Sequence, residues 1–164
     1  PAVMQKFLRR DFEQMRRSWY VGFFQLPWLP EKIFTANNFR RLARAVQGSA
    51  KKNSYTDADM EKYKEAWSQP DALTSMLNWY RAIVQHPPQL PEDVRVKVRT
   101  LMMWGMKDFA LSHRMARPSM DYCDEGNLIL FPEATHWVHL DAADEVNHYL
   151  IDFLLDSITK RAIK

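Results

Sequence analysis

Thr100-Leu101-Met102-Met103-Trp104-Gly105-Met106-Lys107-Asp108-Phe109 and, later, Asn127-Leu128-Ile129-Leu130-Phe131-Pro132-Glu133-Ala134-Thr135-His136-Trp137 are the two stretches on which the fold turns. Each opens with a continuous apolar run, as expected of a strand buried on both faces, and runs into a polar loop. Between them, Leu111 to Met115 reads as a short helix broken by Pro118. After them, Asp141 to Ile158 reads as an amphipathic helix with Val146, Leu150, Phe153, Leu154 and Ile158 on one side. Strand, helix, strand, helix is the order of a parallel α/β sheet. Two parallel strands are not a stable sheet by themselves, because each needs paired neighbours and covered faces. The expected fold class is therefore α/β, incomplete as a stand-alone core.

Upstream the pattern is different. His86-Pro87-Pro88-Gln89-Leu90-Pro91 is the strongest linker signal, and Val94, Val96 and Val98 alternate just beyond it. Before the linker the apolar spacing is helical. Val3, Met4, Phe7, Leu8, Phe12 and Met15 predict a helix to about residue 19. Leu26-Pro27-Trp28-Leu29-Pro30 forces a turn, and a helix is expected over Phe39 to Val46, stopped by Gly48. Thr56 followed by Asp59 is a capping-box-like start for a helix through Met60, Tyr63 and Trp67. Pro70 fits the first turn of the next helix, which carries Leu73, Leu77, Tyr80 and Ile83. The expected organisation is a helical domain over residues 1–90 and an α/β part over 91–164.

Composition narrows the function classes. Apolar residues make up 46% of the 164 and charged ones 26%, which is globular composition. A net charge of +3 and scattered basic pairs such as Arg16-Arg17 and Arg40-Arg41 describe solvated helix faces and argue against nucleic acid. Cys123 is the one cysteine, so no disulfide framework exists; a reducing compartment, the cytoplasm, is expected. No apolar run approaches the roughly 20 residues of a membrane span. Pro1-Ala2-Val3-Met4-Gln5 has neither an initiator Met nor a signal-peptide pattern and reads as a cut inside a longer chain, with any anchor further upstream left open.

Two residues stand where chemistry is expected. Residues just past the carboxyl ends of parallel strands face the ligand crevice, and the two loops put Asp108 and His136 there. An acid that orients a histidine, in that chain order, is the acid–base half of a nucleophilic triad. Separately, an Asp in a turn is ordinarily a cap, and a lone His a surface or core residue. His136 with His139 also invites a metal reading, but the usual helical pair has i, i+4 spacing with a carboxylate nearby, and this pair sits on a loop without a second cluster, so no metal and no cofactor is expected. Cys123, beside Asp124 and Glu125, has no electropositive neighbour in sequence and is read as inert.

Four motifs in order carry a resemblance to a known family. Leu77-Asn78-Trp79-Tyr80-Arg81 resembles the lid motif of soluble epoxide hydrolases, members of the α/β-hydrolase superfamily. Trp19-Tyr20-Val21-Gly22-Phe23-Phe24-Gln25-Leu26-Pro27 resembles their other lid motif, with Tyr20 four residues before the Phe of Phe-Gln-x-Pro. Leu101 to Asp108 resembles the strand ending in the relay Asp. Ala134-Thr135-His136-Trp137 with Glu145-Val146-Asn147 resembles the histidine segment and its following helix. The family often has Pro at the place of Arg99 and Gly at that of Thr135. A larger departure is that neither the nucleophile pattern G-x-D-x-G nor the oxyanion-hole H-G-x-P is present; the four glycines are Gly22, Gly48, Gly105 and Gly126.

The resemblance implies a helical lid followed by the last strands of an α/β-hydrolase core, with the nucleophile Asp and oxyanion hole in an N-terminal half. It implies Tyr20 and Tyr80 as two phenols on the epoxide oxygen and a small apolar epoxide as substrate. Asp108 would hold His136 to activate water. Trp19, Phe23, Trp79, Phe109 and Trp137 are candidates for the substrate wall, to be divided, with Phe24, between cavity and core. Two rivals stay open. One is a dehalogenase of the same superfamily, whose leaving halide needs no proton, so that two tyrosines would be idle. The other is a non-catalytic lid or binding module, with exposed strand edges that could pair as a homodimer.

Overall fold

The computed structural model describes residues 2–162, with side chains to Asp156. The chain divides between Glu92 and Asp93 into two compact units. The first is helical. It opens with α1 (Ala2–Arg10), α2 (Phe12–Arg17) and α3 (Trp19–Phe24), the first two covering the stretch expected as one helix. The expected single helix fails at Asp11, whose extended backbone and side chain cap α2 by accepting the Gln14 N–H at 2.9 Å.

Helix α4 (Leu29–Ser49) starts earlier than expected and contains a break, with Asn37, Asn38 and Phe39 in the left-handed region. Asn tolerates that conformation; Phe39 does not by itself, and burial of its ring beside Trp67, centroids 6.0 Å apart, offsets the strain. Gly48 does not end this helix, which runs to Ser49. Helix α5 (Asp57–Trp67) begins with the expected capping box between Thr56 and Asp59. Pro70 lies outside α6 (Ala72–Gln85): Ala72 N–H donates to Gln69 at 3.1 Å, so Pro70 takes the second position of a turn, for which its fixed φ is suited. The core of this unit is Phe39, Ala43, Met60, Trp67, Leu73 and Leu77, with Phe24 and Phe34 packed against it.

In the second unit, β1 (Thr100–Gly105) and β2 (Gly126–Phe131) pair in parallel, with Thr100 opposite Gly126 and Gly105 opposite Phe131. The alternating valines do not form a strand; Val96 makes one isolated bridge to Cys123 and Val98 is exposed. The connection is a 3-10 turn, His113–Met115, leading into α7 (Ala116–Met120). Pro118 therefore sits inside a helix instead of breaking one, because in the first turn its missing N–H has no intrahelical partner to lose.

The last helical stretch is also divided, into α8 (Val138–Asp141) and α9 (Ala143–Ala162). Phe131, Ala134 and Val146 form the small core, with Met103 and Ile129 packed on it. The strand residues Thr100 to Trp104 are only half-buried, in contrast to the two-faced burial that their apolar run predicts, and Leu150 and Leu154 of the expected apolar helix face are exposed. The side chain of Ile158 lies outside those described. Among the described residues no helix is long and apolar enough to cross a membrane.

Candidate active site

The second unit brings Asp108 and His136 together. A tight turn from Gly105, closed by the Asp108 N–H on the Gly105 carbonyl at 3.2 Å, carries Asp108 just past the end of β1. Its residue is 5% exposed. One carboxylate oxygen, Oδ1, accepts the N–H groups of Ala110 at 2.8 Å and Leu111 at 2.9 Å. The other, Oδ2, lies 2.9 Å from His136 Nδ1. An ionised carboxylate only accepts, so Nδ1 carries the hydrogen and Nε2 is the nitrogen left for proton exchange. The hydrogen bond to Asp108 raises the His136 pKa above its ordinary 6.5, against the opposing effect of burial.

The loop holding His136 is fixed from both sides. Gly105 is required because a Cβ there would stand 2.0 Å from the Thr135 carbonyl and 2.6 Å from that of Ala134. The Lys107 N–H donates to Ala134 at 2.9 Å, stitching the two loops together, and Lys107 also pairs with Glu133. From the other side, Asp141 Oδ2 accepts both the N–H of Thr135 at 2.7 Å and its hydroxyl at 2.5 Å. Sequence reading missed Asp141; the available signal was an acid at the helix start following a Thr-His pair. His136 is flanked by the rings of Phe109, at 5.9 Å, and Trp137, at 5.3 Å.

The first unit brings Tyr20 and Tyr80 together. Their rings meet edge to face with centroids 5.9 Å apart, and Phe24 packs on both, at 5.5 and 5.0 Å. Tyr20 belongs to α3 and Tyr80 to α6. Burial pushes the Tyr80 phenol above its ordinary pKa of 10.0, which keeps it protonated at neutral pH. Of the expected wall aromatics in this unit, Phe23 is half-buried against Phe24 and Phe34. Trp19 and Trp79 are not core: they are 69% and 65% exposed, because α3 and α6 turn their opposite faces inward. Phe109, in the second unit, is likewise exposed. Arg81, Gln25 and Glu31 were not singled out from sequence, although the first two stand inside the quoted motifs. Among the described residues no group of three His, Cys, Asp or Glu side chains is placed to hold a metal ion.

No family model matches the sequence. Individual proteins match along most of it. The chain is 38% identical over 155 residues to the AB hydrolase superfamily protein YfhM of Bacillus subtilis, covering 94% of this chain and 54% of that protein. It is 32% identical over 167 residues to Epoxide hydrolase 4 of Homo sapiens, covering 98% and 46%. In fold it resembles an epoxide hydrolase from Bacillus megaterium, solved with an inhibitor, at a TM-score of 0.82 and 22% identity, covering 93% of this chain and 56% of that one. The chain spans about half the length of the curated relatives it matches.

Proposed function

Because this chain belongs to the epoxide hydrolase-like α/β-hydrolases, we propose that it supplies the acid–histidine pair and the two phenols of an enzyme that opens epoxides to vicinal diols. Ring opening needs a nucleophile behind the carbon and a proton for the departing oxygen, since an alkoxide is a poor leaving group. In the proposed reaction a carboxylate from outside these 164 residues attacks the epoxide carbon as the C–O bond breaks. Tyr20 and Tyr80 hydrogen-bond the oxygen, and one of them gives it a proton. A hydroxyalkyl ester results. His136 then takes a proton from water through Nε2, and the hydroxide formed adds to the ester carbonyl. Collapse expels the diol, whose oxygen is protonated by His136, and leaves a carboxylic acid, which loses to solvent the proton that came with the hydroxide and becomes the carboxylate again. The tyrosinate regains its proton from solvent.

What supports this reading is the pairing of His136 with Asp108, 28 residues away in sequence, in the geometry that leaves Nε2 as the exchanging nitrogen. The test uses the full-length enzyme and a chromogenic epoxide. His136→Gln is expected to accumulate the ester, seen as a mass increase equal to that of the substrate. Tyr20→Phe and Tyr80→Phe are each expected to slow ester formation by about 10²-fold, and the double change to abolish it nearly completely. A double mutant with wild-type rates removes the phenols from the mechanism; a His136→Gln enzyme that turns over normally removes the histidine.

A further inference from the structure

Arg81, next to Tyr80, is surrounded by acceptors in an unusual way. A guanidinium has five N–H donors in a fixed planar fork, and five hydrogen bonds leave Arg81. Nε donates to the Phe24 carbonyl at 2.9 Å and Nη2 to the Leu26 carbonyl at 2.9 Å, both at the end of the Tyr20 helix. Nη1 and Nη2 take the two oxygens of Glu31, in α4, at 2.7 and 3.1 Å, and Nη1 also reaches Asn78 Oδ1 at 3.0 Å. The contact is returned: Gln25 Nε2 donates to the Tyr80 carbonyl at 3.2 Å. Thus the backbone that follows Tyr20 is tied to the side chain that follows Tyr80, and the residue that follows Phe24 is tied to Tyr80 itself. The Arg81 and Glu31 side chains are only 14% and 19% exposed, so water competes weakly for the pair.

We infer that Arg81, with Glu31 and Gln25, is a positioning clasp that sets the separation of the Tyr20 and Tyr80 phenols and so their convergence on one substrate oxygen. Helix α3 has six residues, too few to hold its own place by intrahelical bonds, and its C-terminal carbonyls are the groups the clasp takes. A Lys at position 81 would keep the charge but offers three donors from one point, and could not span two carbonyls and a carboxylate at once. This inference rests on the proposed role of the phenols.

The test is Arg81→Lys in the full-length enzyme, beside Tyr20→Phe and Tyr80→Phe. The expected result is a kcat for epoxide opening lowered at least about tenfold with KM changed less than about twofold, since binding is kept and alignment lost. A second readout is independent of turnover: in enzyme with 13C-labelled tyrosine, the Tyr80 phenol should titrate closer to its ordinary value as α3 loosens and water enters. Gln25→Met removes the returned bond together with the Gln25 donation to the Val21 carbonyl of α3 at 3.1 Å, and serves where Arg81→Lys does not fold; it should shift the titration the same way and lower kcat about threefold. Wild-type kcat, or an unmoved Tyr80 titration, in the folded variants overturns the clasp while the Tyr→Phe losses persist. Should the Tyr→Phe enzymes also be fully active, the role of the phenols falls instead, and the clasp with it.

Discussion

At the scale of single residues, the charge on His136 is the variable that matters. Its pKa is raised by the hydrogen bond with Asp108, so the imidazolium is the favoured form to a higher pH than in a free histidine. A general base must be neutral before it acts, so hydrolysis of the ester is expected to rise with pH through an inflection above 6.5. Asp108→Asn removes the carboxylate, and the inflection should move down while the maximal rate falls; an NMR titration of the imidazole and the pH–rate profile check both. The sign for stability is opposite. A folded pKa above the unfolded value means that the pair stabilises fully below the unfolded pKa and that this contribution is lost as pH rises through the folded one. His136 is about one-third exposed in its side chain, so solvent screening keeps that effect small.

At the scale of elements, the decisive feature is the crossing of two loops at Gly105. The backbone at residues 134 and 135 lies where a β-carbon would be, and backbone cannot swing aside as the end of a flexible side chain can. Gly105→Ala is expected to destabilise the folded protein by about 3 kcal/mol, or to shift the His136 loop if the fold survives. Thermal denaturation gives the first outcome and loss of the raised His136 pKa the second; an unchanged melting curve and titration together would contradict the crossing. The elements also show where periodicity misleads. Apolar spacing through residues 3–15 predicts one helix, but the Asp11 side chain accepts the Gln14 N–H and divides the stretch into α1 and α2. Pro118 has the opposite lesson, since a proline in the first turn of a helix costs no bond.

At the scale of the whole molecule, the unit that carries Asp108 and His136 holds two strands among the described residues, both only half-buried, and α9 exposes Leu150, Ile151, Leu154 and Leu155. Matching relatives are about twice as long. The 164 residues by themselves, offered a radiolabelled epoxide, are expected to form no covalent ester, because no carboxylate in them follows the nucleophile pattern; a stoichiometric burst of label on this chain would contradict that.

The places of Asp108 and His136 were legible from one-dimensional pattern because local rules apply to them. Asp108 and His136 follow apolar runs, and the ends of parallel strands face a crevice whatever the rest of the chain does. The capping box at Thr56 is equally local, since its partners are three residues apart. Side chains that fasten distant segments obey no such rule. Arg81 reaching Phe24 and Glu31 and the fit of Gly105 beneath residues 134 and 135 each depend on where two backbones come to rest in space. Residue types determine which bonds can form; packing alone determines the distances at which they do.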